Sequence, residues 1–200
     1  MNRTIITYGD YFLNFYSALN EEVQEKIDYV FELVKTVDVI PKKFFQHLEG
    51  TDGLFEIRVE FESNIYRIFC FFDAGRLVVL ANAFQKKTQK TPKQDLELAI
   101  KLKKQYFIDK KIDTDDRKKS KSKIVSWDSH LDKKYGERGT PSRTVFEAKA
   151  HAFMFGEVLK EERAKANMTQ AQLAEKTGTK KSYISRIENG HTDIQLSTLY

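Results

Sequence analysis

The sequence predicts an α+β domain followed by an all-α domain that contains a helix-turn-helix. Three observations lead to this prediction. From Gly53 apolar and polar residues alternate, and turns at 62–64 and 73–75 separate this run from a more apolar strand and from a third strand that ends at Phe84, which indicates an antiparallel meander. Apolar residues recur at helical spacing on both sides of this meander. Residues 168–190, MTQAQLAEKTGTKKSYISRIENG, contain two short amphipathic patterns separated by a glycine, as in a helix-turn-helix.

Composition limits the class of protein. A chain of 200 residues suits one or two domains. Its single cysteine, Cys70, excludes an internal disulfide and fits a reducing compartment. The N-terminus lacks the apolar stretch of a signal peptide, and no apolar run approaches the roughly 18 residues of a membrane span. We therefore expect a cytoplasmic protein with no membrane partner.

Charge is distributed unevenly along the chain. Residues 1–62 carry a net charge of −6, residues 63–107 carry +6 and residues 108–200 carry +5. Two basic regions predict two separate surfaces that face polyanions. Ordinary solvated lysines and arginines are the alternative interpretation.

The first domain is predicted to cover residues 1–107. Asn20 precedes two glutamates and an apolar helical pattern, so it is expected to cap a helix. Pro92 suits the first turn of another helix. The further expected elements are an edge strand at 4–8, a short helix at 10–18, a turn or short helix after Pro41, and three strands within 53–61, 65–72 and 76–84.

Four cations carry the chemistry predicted for this domain: Arg58, Arg67, Lys86 and Lys87. A charged residue in an otherwise apolar strand is costly unless it faces water or a partner, and Arg67 between Tyr66 and Ile68 is the strongest case. Two arginines beside a Lys-Lys loop suit a phosphate and the charge that develops on it. The alternative is that Arg58 pairs with Glu56 or Glu60 across the sheet.

The same residues carry a family resemblance. The runs LFEIR (54–58), YRI (66–68) and AFQKKTQKTP (83–92) resemble the phage-derived Gp49/HigB branch of the RelE/ParE toxin superfamily. The resemblance implies a RelE/ParE-like α+β fold and a metal-independent, cofactor-free endoribonuclease that cleaves ribosome-bound mRNA. In it the 2′-hydroxyl attacks the neighbouring phosphate. By the same resemblance, the four cations are catalytic, Phe84 supports the loop or stacks on a base, and Lys90 binds RNA.

Proton transfer is not assigned by the sequence. His47 is the single histidine of the first domain, and beside Leu48 it fits a half-buried structural residue as well as a base. No pair of histidines or carboxylates suits general acid–base work. A lysine of lowered pKa or positioning on the ribosome would then supply catalysis. A ParE-like inhibitor of DNA gyrase, which needs no such groups, stays open.

The join between domains is predicted at residues 108–123. This segment has 11 charged residues in 16, which indicates a solvated linker. Residues 124–152 resemble the toxin-contacting N-terminal part of HigA-type antitoxins, in which Trp127 is expected to anchor a partner or a core. His130 and His151 lack further ligands at suitable spacing, so no metal site is predicted.

Residues 153–200 are predicted to form the helix-turn-helix domain, which resembles the XRE/Cro-like family. Its expected helices run within 154–166, 170–176 and 180–188, with Thr169 as a cap and Ile184 and Ile187 facing the core. Outward residues at the start of the second helix of such a motif reach base edges. The predicted base readers are Lys181, Ser182 and Arg186, and the predicted phosphate contacts are Thr169, Gln170, Thr179, Lys180 and Tyr183.

The sequence ends within a further predicted helix, 194–200, so we expect the domain to be truncated or its apolar stripe to be covered in a homo-oligomer. The complete interpretation is a type II toxin–antitoxin fusion, with toxin–antitoxin contact within or between chains and with operator DNA as a partner. Two alternatives stay open. One is a transcription regulator whose toxin-like domain is an inactive docking domain, and the other is the gyrase inhibitor.

Overall fold

The chain folds as two compact units, residues 1–134 and 135–200, called the first unit and the second unit. The computed structural model describes residues 3–86, 92–115 and 124–191. The first unit is α+β and the second is all-α, which confirms the predicted fold class. Among the described residues, no helix has the length and apolarity needed to cross a membrane.

A six-stranded sheet forms the centre of the first unit. Its strands are β1 (Thr4–Tyr8), β2 (Phe45–His47), β3 (Leu54–Phe61), β4 (Asn64–Asp73), β5 (Leu77–Lys86) and β6 (Ile124–Ser126). They lie in the order β2-β3-β4-β5-β1-β6. Strands β3, β4 and β5 form the predicted antiparallel meander.

Strand β1 does not lie at an edge, although the sequence predicts an edge strand there. It pairs in parallel with β5 on one side and in antiparallel fashion with β6 on the other. Ile5, Ile6, Thr7 and Tyr8 are all buried, which suits an interior strand. The sequence did not predict β2 and β6, because three residues are too few to show a period of two.

Helices α1 (Tyr11–Ser17) and α2 (Glu21–Thr36) lie on one face of the sheet. The Asn20 side chain caps α2 as predicted, since its Oδ1 accepts a hydrogen bond from the Val23 amide at 2.9 Å. The ring of Phe15 in α1 contacts that of Tyr66 in β4. The alternation of β4 therefore points Tyr66 to this face and Arg67 to the opposite one.

Helix α3 (Lys93–Asp115) covers much of the opposite face, where Ala99, Leu102 and Tyr106 join the core formed by β1, β3, β4 and β5. The predicted linker at 108–123 therefore starts too early, because residues 108–115 continue the helix. Two of their charged residues have partners in the first unit: Tyr8 donates to Asp109 at 2.5 Å, and Lys110 lies 2.6 Å from the Asp73 carboxylate. Residues 116–123 lie outside the described residues.

Within the described part of the chain, four further helices follow β6. They are α4 (Trp127–Tyr135), α5 (Pro141–Lys165), α6 (Gln170–Lys176) and α7 (Lys181–Glu188). The boundary between units falls within α4, so residues 124–134 belong to the first unit. Helix α5 is a single helix of 25 residues that begins at Pro141, well before the helix predicted within 154–166. The predicted helix 194–200 lies outside the described residues.

Gly156 allows α5 and α7 to approach closely. A Cβ at this position would lie 2.3 Å from the carbonyl oxygen of Ile187, which is well inside van der Waals contact. The helix-turn-helix is thus packed backbone against backbone, with Ile184 and Ile187 buried as predicted.

Candidate cation cluster and DNA-binding surface

Three adjacent strands bring Arg58, Arg67 and Lys86 to one face of the sheet. Arg58 in β3 is the register partner of Arg67 in β4. On the next strand, β5, Arg67 faces Phe84, and Lys86 lies one alternation further along, opposite Ile65. Residues directly opposite each other share a face, so the three cations do too. We call Arg58, Arg67 and Lys86 the cation cluster.

Glu56 organises the two arginines of this cluster. Its side chain is fully buried, and its Oε1 accepts from Arg58 Nε while its Oε2 accepts from Arg67 Nη1 at 2.9 Å. One carboxylate therefore holds two guanidinium groups side by side. The Arg58–Glu56 pairing that the sequence left open occurs within one strand, two residues apart, and Glu60 is exposed.

The members of the cation cluster differ in exposure. The Arg58 side chain is 30% exposed and that of Arg67 is 11% exposed, so Arg58 is the more accessible of the two. Lys86 is half-buried at the end of β5. Lys87 and Lys90, which the sequence also assigns to RNA, lie outside the described residues. The two guanidiniums and Lys86 outnumber the two carboxylates of β3 on this face, buried Glu56 and exposed Glu60, so the face is locally positive.

Phe84 lies in the core and not at the surface. It is 8% exposed, and its ring meets that of Phe69 edge-on at 5.3 Å. Of the two roles predicted for it, this position fits support of the strand end. Stacking on a base would require the ring to leave the core.

His47 does not join the cation cluster. It pairs in register with Phe55, whose side chain alternates with that of Glu56 and so lies on the opposite face. Its ring is exposed and contacts Phe55 edge-on at 5.1 Å. His47 is therefore more exposed than the half-buried residue that the sequence suggested, and it lies on the face of the sheet opposite Arg58 and Arg67.

The second candidate surface lies on α7. Thr179, Lys180, Ser182, Tyr183 and Arg186 line one open concavity. All five are among the predicted DNA contacts. Lys181 is exposed at the first position of α7.

Two other predicted phosphate contacts are engaged within the protein. Thr169 forms a capping box with Gln172, in which its Oγ1 accepts from the Gln172 amide at 3.2 Å and its own amide donates to Gln172 Oε1 at 2.8 Å. Gln170 Nε2 donates to Glu188 at 2.9 Å. Their side chains thus position α6, and Thr169 remains exposed.

An ion pair buried beneath this surface joins the helices. Arg163 in α5 contacts Glu188 in α7 through Nε at 2.5 Å and through Nη2 at 2.9 Å. Hydrogen bonds from Arg163 are the main reason why the pKa of Glu188 is lowered, and the same bonds raise the pKa of Arg163. The fork fixes α7 relative to α5, and Gln170 extends it to α6.

Comparison with known families gives a match in two separate parts of the chain. Residues 14–104 match the family model of phage-derived Gp49-like proteins, and residues 159–200 match the helix-turn-helix model. After the models that they match, we call residues 14–104 the Gp49-like domain and residues 159–200 the helix-turn-helix domain. Comparisons with curated proteins and with solved structures gave no match.

Each surface falls inside one of these domains. The Gp49-like domain contains the cation cluster and Glu56, and the helix-turn-helix domain contains the concavity on α7. Residues 124–134 lie between the two matches. A positive sheet face suits a phosphodiester, and an exposed α7 with hydroxyl, amine and guanidinium groups suits DNA grooves.

Sequence reasoning named Glu56 only as a possible partner of Arg58, without its contact with Arg67, and it missed Glu188. A signal for Glu56 was present, because it stands two residues before Arg58 in a strand of buried residues. A signal for Glu188 was its position four residues after Ile184, on the buried stripe of α7. Among the described residues, no group of three or more potential ligands could hold a metal ion.

Proposed function

We propose that the chain is a type II toxin–antitoxin fusion of the HigB–HigA kind. The Gp49-like domain is a metal-independent endoribonuclease for ribosome-bound mRNA. The remainder is an antitoxin that inhibits this domain and represses transcription by binding operator DNA. The observation that carries the proposal is the pair of guanidiniums aligned by the buried Glu56 on the Gp49-like sheet.

The cation cluster suits cleavage by transesterification. The 2′-oxygen of a ribose attacks the adjacent phosphorus, the bond from phosphorus to the 5′-oxygen of the next nucleotide breaks, and a cyclic phosphate forms. Negative charge accumulates on the phosphoryl oxygens, where Arg58 and Arg67 stabilise it. Because Glu56 already orients both guanidiniums, little reorganisation is needed as the charge develops.

Among the described residues of the cluster, none is suited to accept the proton of the 2′-hydroxyl. Glu56 is buried and accepts hydrogen bonds from both arginines, so it does not serve as this base. We assign the uptake of this proton, and the delivery of a proton to the 5′-oxygen that leaves, to a lysine of lowered pKa or to acid and base groups that the ribosome-bound state supplies. Dependence on the ribosome follows from the second assignment.

The DNA-binding half of the proposal rests on α7. In helix-turn-helix docking the second helix enters the major groove, and here that helix presents Lys181, Ser182 and Arg186. In this proposal Arg186 reads guanine bidentately, and Thr179, Lys180 and Tyr183, which line the same concavity, contact phosphates. A homo-oligomer that binds a two-fold operator is the corresponding assembly.

Ribosome-programmed mRNA cleavage tests the proposed nuclease. The first unit, residues 1–134, is compared with the full-length chain and with Arg67→Ala in each. We expect cleavage by the first unit, loss of cleavage with Arg67→Ala, and slower cleavage by the full-length chain because a tethered inhibitor acts at about millimolar effective concentration. Equal cleavage by both forms would disprove inhibition by the second unit.

The same assay separates the two alternatives. If neither form cleaves mRNA and Arg67→Ala changes no phenotype, the chain is a transcription regulator with an inactive docking domain. If mRNA stays intact while DNA-damage signalling rises in cells, the Gp49-like domain acts on gyrase.

A further inference from the structure

Residues 124–134 attach to the first unit through contacts of three kinds. The first is a backbone ladder, in which Ile124, Val125 and Ser126 pair with Tyr8, Thr7 and Ile6. Without β6 the buried strand β1 would present a row of unpaired backbone groups at the sheet edge. Addition of an extended segment to such an edge is a recurrent mode of peptide recognition.

The second contact is an aromatic anchor. Trp127 is fully buried, and its ring packs against those of Phe12 at 5.5 Å, Tyr16 at 5.2 Å and Phe31 at 5.0 Å. His130 stacks on the outer side of the indole at 4.3 Å. Burial of a complete tryptophan in an aromatic pocket is typical of the residues that dominate binding energy at protein interfaces.

The third contact is electrostatic and specific. Asp28 of α2 is fully buried, and Lys134 Nζ lies 2.8 Å from its carboxylate and 2.6 Å from the Tyr16 hydroxyl. On the same helix, Lys35 is paired with Asp128 at 2.5 Å. Asp128 and Lys134 of the segment thus each contact a residue of opposite charge on α2. Removal of the segment would take Lys134 away from the buried Asp28 carboxylate.

We propose that residues 124–134 form a docking segment that holds the second unit to the first without need of the covalent connection through residues 116–123. A strand, a buried tryptophan and two ion pairs are an interface in their own right. Cleavage of the chain within 116–123 therefore leaves a stable noncovalent complex. As a consequence that rests on the proposed function, release of the Gp49-like domain from the second unit requires digestion within or after the docking segment, and a cut within 116–123 does not release it.

This docking contact is separate from the cation cluster. Strand β6 lies three strands away from β4, which carries Arg67, at the edge opposite β2. Docking can therefore be measured as binding between the two fragments of a cut chain, in an assay that does not depend on nuclease activity. A failure of the docking proposal and a failure of the proposed function give different results.

The test uses the full-length chain with a site-specific protease sequence in place of residues 118–123. The folded chain is cut, and the fragments are followed by gel filtration and by dilution of a labelled fragment. We expect co-elution for the unmodified docking segment and for Lys133→Ala, an exposed neighbour on α4. We expect Trp127→Ala to separate the fragments.

A second variant guards against misfolding of Trp127→Ala. Lys134→Met should raise the dissociation constant of the cut complex about 10- to 100-fold, because the Asp28 carboxylate loses a charged hydrogen bond. In the Lys134→Met background, Asp28→Asn should then cost much less than it does alone. Separation of the unmodified fragments would overturn the proposal, and so would equal dissociation constants for the unmodified, Trp127→Ala and Lys134→Met complexes.

Discussion

Glu56 makes the cation cluster possible. Two guanidiniums that are register partners on one sheet face would repel each other, and a buried carboxylate between them offsets this repulsion. The carboxylate also limits each arginine to a narrow range of positions. The charge and the geometry of the cluster are thus set by one residue that need not touch the substrate.

Replacement of this carboxylate should destabilise the first unit. Glu56→Gln leaves Arg58 and Arg67 without their shared counter-charge, so we expect the free energy of unfolding to fall by about 2–4 kcal/mol. Urea denaturation measures it through the fluorescence of Trp127, the only tryptophan of the chain, which is buried in this unit. Glu60→Gln, on the same face but exposed, is the matched control. Equal losses in both variants would contradict the role of Glu56.

Glu188 predicts how the helix-turn-helix responds to pH. Its pKa is lowered in the folded state, mainly by hydrogen bonds from Arg163. Its stabilising contribution is therefore complete above the ordinary carboxyl pKa of about 4.3 and is lost as pH falls through the lowered value. Amide signals of α7, followed by NMR from pH 7 downward, should show this loss.

Two variants isolate that effect from other acids, such as Asp73 in the first unit, whose pKa is also lowered. Glu188→Gln should remove the pH dependence of the α7 signals and weaken the fold at neutral pH. Glu175→Gln, exposed on α6, should leave the dependence intact. An unchanged pH profile in Glu188→Gln would show that another group controls α7.

At the scale of elements, periodicity predicted the strands and helices that are long enough to show a repeat. The meander β3–β5, the capped helix α2 and the bounds of α6 follow from local pattern and capping residues. Neither the local pattern nor the capping residues predict strands β2 and β6. Each has three residues, and each exists because a distant strand offers an unpaired edge, which a local pattern does not contain.

The candidate sites show the same division. Alternation alone placed Arg58 and Arg67 on one face, and helical spacing placed Arg186 outward on α7. Neither pattern revealed that Gln170 donates a hydrogen bond to Glu188, or that Phe84 faces a core to which α3 contributes. Those contacts depend on which helix packs on which strand, and a local pattern does not contain that information. The end of α3 was also missed, because its last residues are rich in charge and resemble a linker.

The contact between α5 and α7 gives a prediction at this scale. Gly156→Ala increases helix propensity, which alone would stabilise α5 by up to about 1 kcal/mol. The added methyl group would instead collide with the Ile187 carbonyl, so we expect a net loss of about 1–3 kcal/mol from forced separation of the helices. Thermal unfolding followed by circular dichroism measures this loss. A gain in stability would show that the helices move apart at no cost.

The whole molecule has a net charge of +5 and a sequence pI of about 9.1, so some attraction to DNA is expected from charge alone. The basic residues fall in both domains, with +6 in residues 63–107 and +5 in residues 108–200. Two explanations of DNA binding therefore compete. Either polyanions bind wherever the chain is basic, or α7 reads a sequence and the rest contributes little.

Paired arginine variants of the full-length chain distinguish these explanations. Arg186→Ala and Arg67→Ala each remove one positive charge, but only Arg186 lies on the α7 concavity. If α7 reads DNA, Arg186→Ala should weaken operator binding about 5- to 150-fold, which corresponds to about 1–3 kcal/mol, and relax specificity at one base pair. Arg67→Ala should leave operator affinity unchanged. Fluorescence anisotropy against operator and scrambled duplexes at several salt concentrations measures both effects. Equal weakening by the two variants would mean that net charge, and not α7, governs binding.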